Sequence, residues 1–165
     1  MGKPTAIELL DIAYQGIRSR LSGYGGIFIE PDRNVEPKTS YDSNSQLVGL
    51  AAGVRTVLPD GKVIQILTRN RKDGPIWRSA GFYEYHIGPS KADMTDVYFR
   101  IDLHPPGLHC HIRGEGKLGS KSGGHLTARE VVPDIRTVDA LRFLDYVDDF
   151  LKTGIIPFRK FGPGS

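Results

Sequence analysis

The run YFRIDLHPPGLHCHIR, residues 98–113, constrains this chain more than any other segment. It reads as two strands joined across Pro105-Pro106-Gly107, and strand side chains alternate between faces with period two. Tyr98, Arg100, Asp102, His104, His109, His111 and Arg113 then share one face, while Phe99, Ile101, Leu103, Cys110 and Ile112 share the other. The second set is an ordinary core face. The first gathers three of the chain's five histidines, a carboxylate and two arginines. A solvated face needs polar residues, but lysine, threonine and glutamate would meet that need. A four-residue connection would set His104 opposite His109, Asp102 opposite His111 and Arg100 opposite Arg113, with paired Cβ atoms about 4.5–5.5 Å apart.

The flanking sequence supplies a sheet for this hairpin. Asp60-Gly61 is a two-residue turn signal between Val54–Leu58 and Val63–Leu67, and both flanks are apolar enough for central strands. Phe82 to Ile87 reads as a third strand, in which Glu84 and His86 take the polar parity and Tyr83, Tyr85 and Ile87 the core parity. Asn70 to Pro75 reads as a basic connector and Gly88 to Asp96 as a loop. Two amphipathic helices bracket the strands. Thr5 to Leu21 opens with capping-box spacing between Thr5 and Glu8 and carries Ile7, Leu10, Tyr14, Ile17 and Leu21 on one side. Thr137 to Lys152 carries Val138, Leu141, Leu144, Val147 and Leu151, with Thr137 as its cap and Gly154 at its C-terminal end. This order predicts one α+β domain over residues 1–165: an N-terminal helix, an antiparallel sheet of about four to five strands built from hairpins, and a C-terminal helix on one sheet face. The histidine face is expected to stay open. A polar loop is expected near 31–45 and a glycine- and lysine-rich loop near 114–124, while Gly162-Pro163-Gly164-Ser165 is given no structural role.

Composition narrows the function. With 39% hydrophobic and 25% charged residues the chain is of ordinary globular type, and no apolar stretch is long enough for a membrane helix. The N-terminus lacks a signal-peptide core, and a single cysteine, Cys110, excludes an internal disulfide, so a cytoplasmic setting is expected, with Cys110 buried and inert. A net charge of +3 mildly favours a phosphate-bearing partner. The glycine-rich run lacks G-x-x-x-x-G-K-[ST] spacing, which excludes a triphosphate-binding P-loop.

Three chemistries suit the polar face. In metal-independent phosphodiester cleavage, His104 and His109 serve as acid and base, with Tyr98 or His86 as substitutes. Asp102 orients or raises the basicity of His111, and Arg100 and Arg113 hold the phosphate. Glu84 and His86 extend the field. No cofactor is then needed. In a metal site, His109 and His111 would act with His104 or Asp102, although Arg100 and Arg113 would flank the cation. In a binding module, the face would hold nucleic acid or an acidic protein without turnover, with Tyr98 stacking on a base. A plain solvated face with surface salt bridges is the remaining alternative. Elsewhere, His125 reads as a turn or surface histidine that matters only if its loop folds over the hairpin. Trp77 with Arg78 reads as packing, Arg69 to Lys72 as a solvated turn, and Asp145, Asp148 and Asp149 as solvation of the second helix.

Over roughly Phe82 to Leu151, the strand–turn–strand ending in His109-Cys-His-Ile112 and followed by a helix resembles the TumE-type toxins of toxin–antitoxin systems. Their histidine-x-histidine element matches His109 and His111. A helix before an antiparallel sheet is similar in architecture to the barnase- and RelE-like ribonucleases. These resemblances imply a toxin or effector that cleaves RNA, with an antitoxin or immunity protein as partner. The expectation is a metal-independent endoribonuclease. The alternatives are a phage- or plasmid-encoded inhibitor that binds without catalysis, and a metal-dependent hydrolase.

Overall fold

The computed structural model describes residues 2–31, 37–105, 107–115 and 124–161. Among these, eight strands form one antiparallel sheet. Its strands are β1 (Ile27–Ile29), β2 (Lys38–Tyr41), β3 (Leu47–Val57), β4 (Val63–Asp73), β5 (Ile76–Gly88), β6 (Phe99–His104), β7 (Gly107–Ile112) and β8 (Leu126–Thr127). From β3 to β8 the order follows the sequence, while β1 and β2 pair with opposite ends of the outer edge of β3. A two-stranded ribbon joins β9 (Val131–Val132) to β10 (Arg159–Lys160).

The sheet exceeds four or five strands because β1, β2 and β8 join it, and its central strands are longer than expected. Lys38–Tyr41, inside the expected polar loop, forms β2 against Leu47–Ala51. The basic run does not end its strand: β4 continues to Asp73, turns at Gly74, where φ is +61°, and returns as β5 from Ile76. A register shift at Arg69/Asn70 absorbs one irregularity in that long ladder. Residues 32–36 and 116–123, and with them most of the glycine- and lysine-rich loop, lie outside the described residues, as do Pro106 and Gly162–Ser165.

The N-terminal helix is two helices. The Thr5–Glu8 capping box is present, and α1 (Ala6–Ala13) follows it. Gly16, in the left-handed region at φ +88°, then starts α2 (Ile17–Ser22). At the other end, α3 (Ala140–Thr153) is capped by Asp139, whose carboxylate accepts from the Arg142 N–H, rather than by Thr137. Gly154 takes the left-handed C-cap as the spacing requires. Asp145 and Asp148 do more than solvate α3: both pair with Arg20, and Tyr24 donates to Asp148, which ties α2 to α3.

One sheet face makes the core. Tyr85 and Phe99 pack on Phe143 of α3 with ring centroids 5.6 and 5.5 Å away, and Leu9, Leu10, Ile17 and Leu21 of the first two helices are fully buried. Cys110 belongs to this face, and burial pushes its thiol up to about 12. It is an inert core residue.

Candidate acid–base and imidazole site

On the opposite face, strand pairing lines up two polar rows. Arg55, Gln65, His86, Arg100 and His111 stand side by side across β3 to β7. Next to them run Glu84, Asp102 and His109 across β5 to β7, with Thr127 of β8 beyond. Parity places Glu84, His86, Arg100, Asp102, His109 and His111 on one face as the sequence reading expects, and Arg55, Gln65 and Thr127 join them. Register differs. Because Pro105 and Pro106 alone connect β6 to β7, His104 opposes Gly107, Asp102 opposes His109, and Arg100 opposes His111. The expected pairing was two residues out, and a slip of two leaves each side chain on its own face.

Two of the expected members are not in the cluster. Tyr98 lies in a bend before β6. Its ring packs 4.8 Å from Phe150 of α3 and joins the core. Arg113, one residue past β7, donates from Nε to the Val97 carbonyl, pairs with Asp96, and lies over the Tyr98 ring at 4.9 Å. The face is also not open at its centre. His86 and Asp102 are fully buried, and His109 and His111 are each 4% exposed. Pro31 comes against Gly53 and the Asp96 carbonyl against Gly88, both on this face, so flanking segments fold over the rows.

Asp102 is the hub. Its Oδ2 accepts from Arg100 Nε at 2.9 Å and faces Nε2 of His109, His111 and His104 at 3.3, 3.6 and 3.7 Å. Burial alone would raise this carboxyl, but contact with His109 and the Arg100 charge hold it below its ordinary value, so it is an anion. Contact with Asp102 raises His109 against the opposing effect of burial. His111 goes the other way. Burial, helped by the Arg100 charge, pushes it down to about 4. Arg100 Nη2 lies 3.3 Å from His111 Nε2, and since guanidinium only donates, that nitrogen accepts and the ring proton sits on Nδ1.

Backbone carbonyls fix two more rings. His104 Nδ1 lies 2.8 Å from the Pro105 carbonyl and His109 Nδ1 2.8 Å from that of Gly107, so each donates there and turns Nε2 inward. His125 completes the group. It stacks on His109 at 4.4 Å and meets His111 edge-on at 4.8 Å. The sequence signal for it is weak, since a glycine- and lysine-rich stretch separates it from β7; the contact follows from β8 pairing back onto β7.

Behind the hub, Arg55 Nε donates to Gln65, and Gln65 Nε2 donates to Glu84 at 2.6 Å. Glu84 is raised by burial and by the nearby Asp102 charge. His86 stands apart. Neither ring nitrogen has a hydrogen-bond partner among the described residues, and burial pushes it down to about 3. It is a neutral ring. No described helix is long and apolar enough to cross a membrane.

The geometry can deliver a proton from one imidazole and accept one at another, beside a guanidinium, or hold a cation among ring nitrogens. Comparison with family models, curated proteins and solved structures finds no match to this chain, so the chemistry of the site itself carries the functional reading.

Proposed function

We propose that this protein is a metal-independent endoribonuclease of toxin or effector type, acting in the cytoplasm through the Asp102 centre. The observation that carries this reading is the convergence of three imidazoles and a guanidinium on one buried carboxylate oxygen. His104, half-exposed with Nδ1–H held by Pro105, presents an Nε2 lone pair as general base. It removes the proton of an RNA 2′-hydroxyl, and that oxygen attacks phosphorus. His109, whose hold on its proton Asp102 strengthens, gives that proton to the departing 5′-oxygen as the P–O5′ bond breaks. Arg100 supplies positive charge beside the developing phosphorane. The products are a 2′,3′-cyclic phosphate and a 5′-hydroxyl. Arg113 and Tyr98 have no part in this scheme, because their side chains are engaged elsewhere. A toxin of this kind requires a neutralising protein partner.

The test is incubation of total RNA with protein in excess EDTA. The expected result is fragments ending in 2′,3′-cyclic phosphate, with His104→Ala and His109→Ala each slowing cleavage about 10²–10⁴-fold. RNA left intact in EDTA but cut on metal addition would replace the reading with a metal-dependent hydrolase. Salt-dependent binding without cleavage would replace it with a binding module.

A further inference from the structure

Three imidazoles in this centre do not all fit the acid–base scheme. His109, His111 and His125 each bring one ring nitrogen into a group whose members lie within 4.8 Å of one another. A tetrahedral zinc site with bonds of 2.0–2.1 Å separates its nitrogens by roughly 3.3 Å, so modest ring rotation closes the gap. His125 is exposed and lies one residue before β8, outside the buried core.

Second, two buried nitrogens of the group make no hydrogen bond among the described residues, although His109 Nε2 faces Asp102 Oδ2 at 3.3 Å. They are His109 Nε2 and His111 Nδ1, and both residues are 4% exposed. A buried polar atom in that state costs about 1–3 kcal/mol unless something else uses it. The His109 Nδ1–H is held by the Gly107 carbonyl, the outer contact that fixes metal-binding imidazoles in the correct tautomer. For His111 to bind through Nδ1, its ring proton moves to Nε2. There Arg100 Nη2, now 3.3 Å away, has to turn aside and the ring has to close the 3.6 Å to Asp102 Oδ2, which then accepts and gives a carboxylate–histidine–metal arrangement.

Third, the guanidinium charges next to the group are offset by carboxylates. Arg100 is matched by Asp102 at 2.9 Å, and Arg113 is turned away to Asp96. An all-imidazole set selects zinc, copper or nickel over magnesium or calcium.

We propose that His109, His111 and His125 form a site for a divalent transition metal of the zinc class, and that the loaded form is an inhibited one. The inhibitory half rests on the ribonuclease reading: a metal on His109 Nε2 occupies the atom that must carry the proton to the leaving oxygen. Binding releases the His109 proton to solvent and changes no oxidation state.

Titration calorimetry of the full chain with zinc chloride, and separately with magnesium chloride, tests the site without reference to activity. One zinc per chain at micromolar affinity is expected, with no saturable magnesium binding. His125→Ala lies outside the acid–base residues. It should weaken zinc binding at least tenfold and, measured against its own rate in EDTA, resist zinc inhibition. Absence of zinc binding, or equal affinity in His125→Ala, overturns the site. Zinc that accelerates cleavage overturns its inhibitory role. Zinc binding that depends on His125 in a protein with no cleavage under any condition leaves the site standing and removes the ribonuclease reading instead.

Discussion

Replacing Asp102 by asparagine keeps the shape of the hub and removes its charge. Asp102 is fully buried and Arg100 is 22% exposed, so their contact at 2.9 Å is only partly screened by water. Breaking a buried ion pair costs about 3–5 kcal/mol; asparagine keeps an acceptor and Arg100 retains some solvent, so about 2–4 kcal/mol is expected here. For a chain of this length that lowers Tm by about 5–12 °C. The substitution also carries a pH signature. In the wild type Asp102 raises His109 above its ordinary value, so the folded state binds that proton more tightly than the unfolded state does. The stabilisation is complete below about pH 6.5 and disappears as pH rises through the raised value. Asp102→Asn removes the attraction, and the alkaline fall in stability should vanish with it. Urea unfolding of both proteins at half-unit steps from pH 6 to 9 reads the effect. RNA cleavage should fall in parallel, by about 10²–10⁴-fold. A variant within about 0.5 kcal/mol of wild type at pH 6.5, the range of an ordinary surface change, would refute the hub as described. So would a wild-type curve that is flat above pH 6.5.

His86 and His111 predict the acid side of the same curve. Both are held neutral by burial, at about 3 and about 4, so below about pH 6.5 only the unfolded chain takes up their protons. Two such groups give a loss of roughly 2.7 kcal/mol per pH unit between pH 6 and 5, and His86→Leu should halve that slope in urea unfolding while raising stability at pH 7. Equal slopes in the two proteins would count against a neutral, unpartnered His86. In the core, Phe143 is fully buried between Tyr85 and Phe99, and Phe143→Ala should cost about 3–5 kcal/mol by chemical denaturation without a pH-dependent component.

What was legible in the sequence was periodicity. The assignment of Glu84, His86, Arg100, Asp102, His104, His109 and His111 to one face needed only alternation along β5, β6 and β7, and it holds through a register error of two. Register itself depends on how few residues a Pro-Pro connection uses, which composition does not specify. Tyr98 and Arg113 were misplaced because alternation applies only inside a strand, and both sit one residue beyond its end. The single helix expected over residues 5–21 ignored Gly16, whose left-handed backbone splits it in two. His125 was under-read because its partners lie 14 and 16 residues back, and only the two-residue pairing of β8 with β7 brings it there.

The same comparison explains why the buried polar rows call for a functional account. One sheet face already has a complete core, with Phe143, Tyr85 and Phe99 at its centre. The other face holds an ionised carboxylate, a guanidinium and three nearly inaccessible imidazoles, where apolar side chains of similar volume would commonly be as stable or more so. Several of its atoms, Asp102 Oδ1, His109 Nε2 and His111 Nδ1 among them, are buried with no hydrogen bond among the described residues. A purely structural polar network strengthens the fold when each member is satisfied, and loses by leaving members unsatisfied. Apart from the two nitrogens of His86, the unsatisfied atoms on this face are one ring nitrogen each of His109 and His111 and the second oxygen of the carboxylate they share. Leaving those atoms without hydrogen bonds, while a backbone carbonyl fixes the opposite nitrogen of His109, is what the proposed proton transfer or cation binding would require.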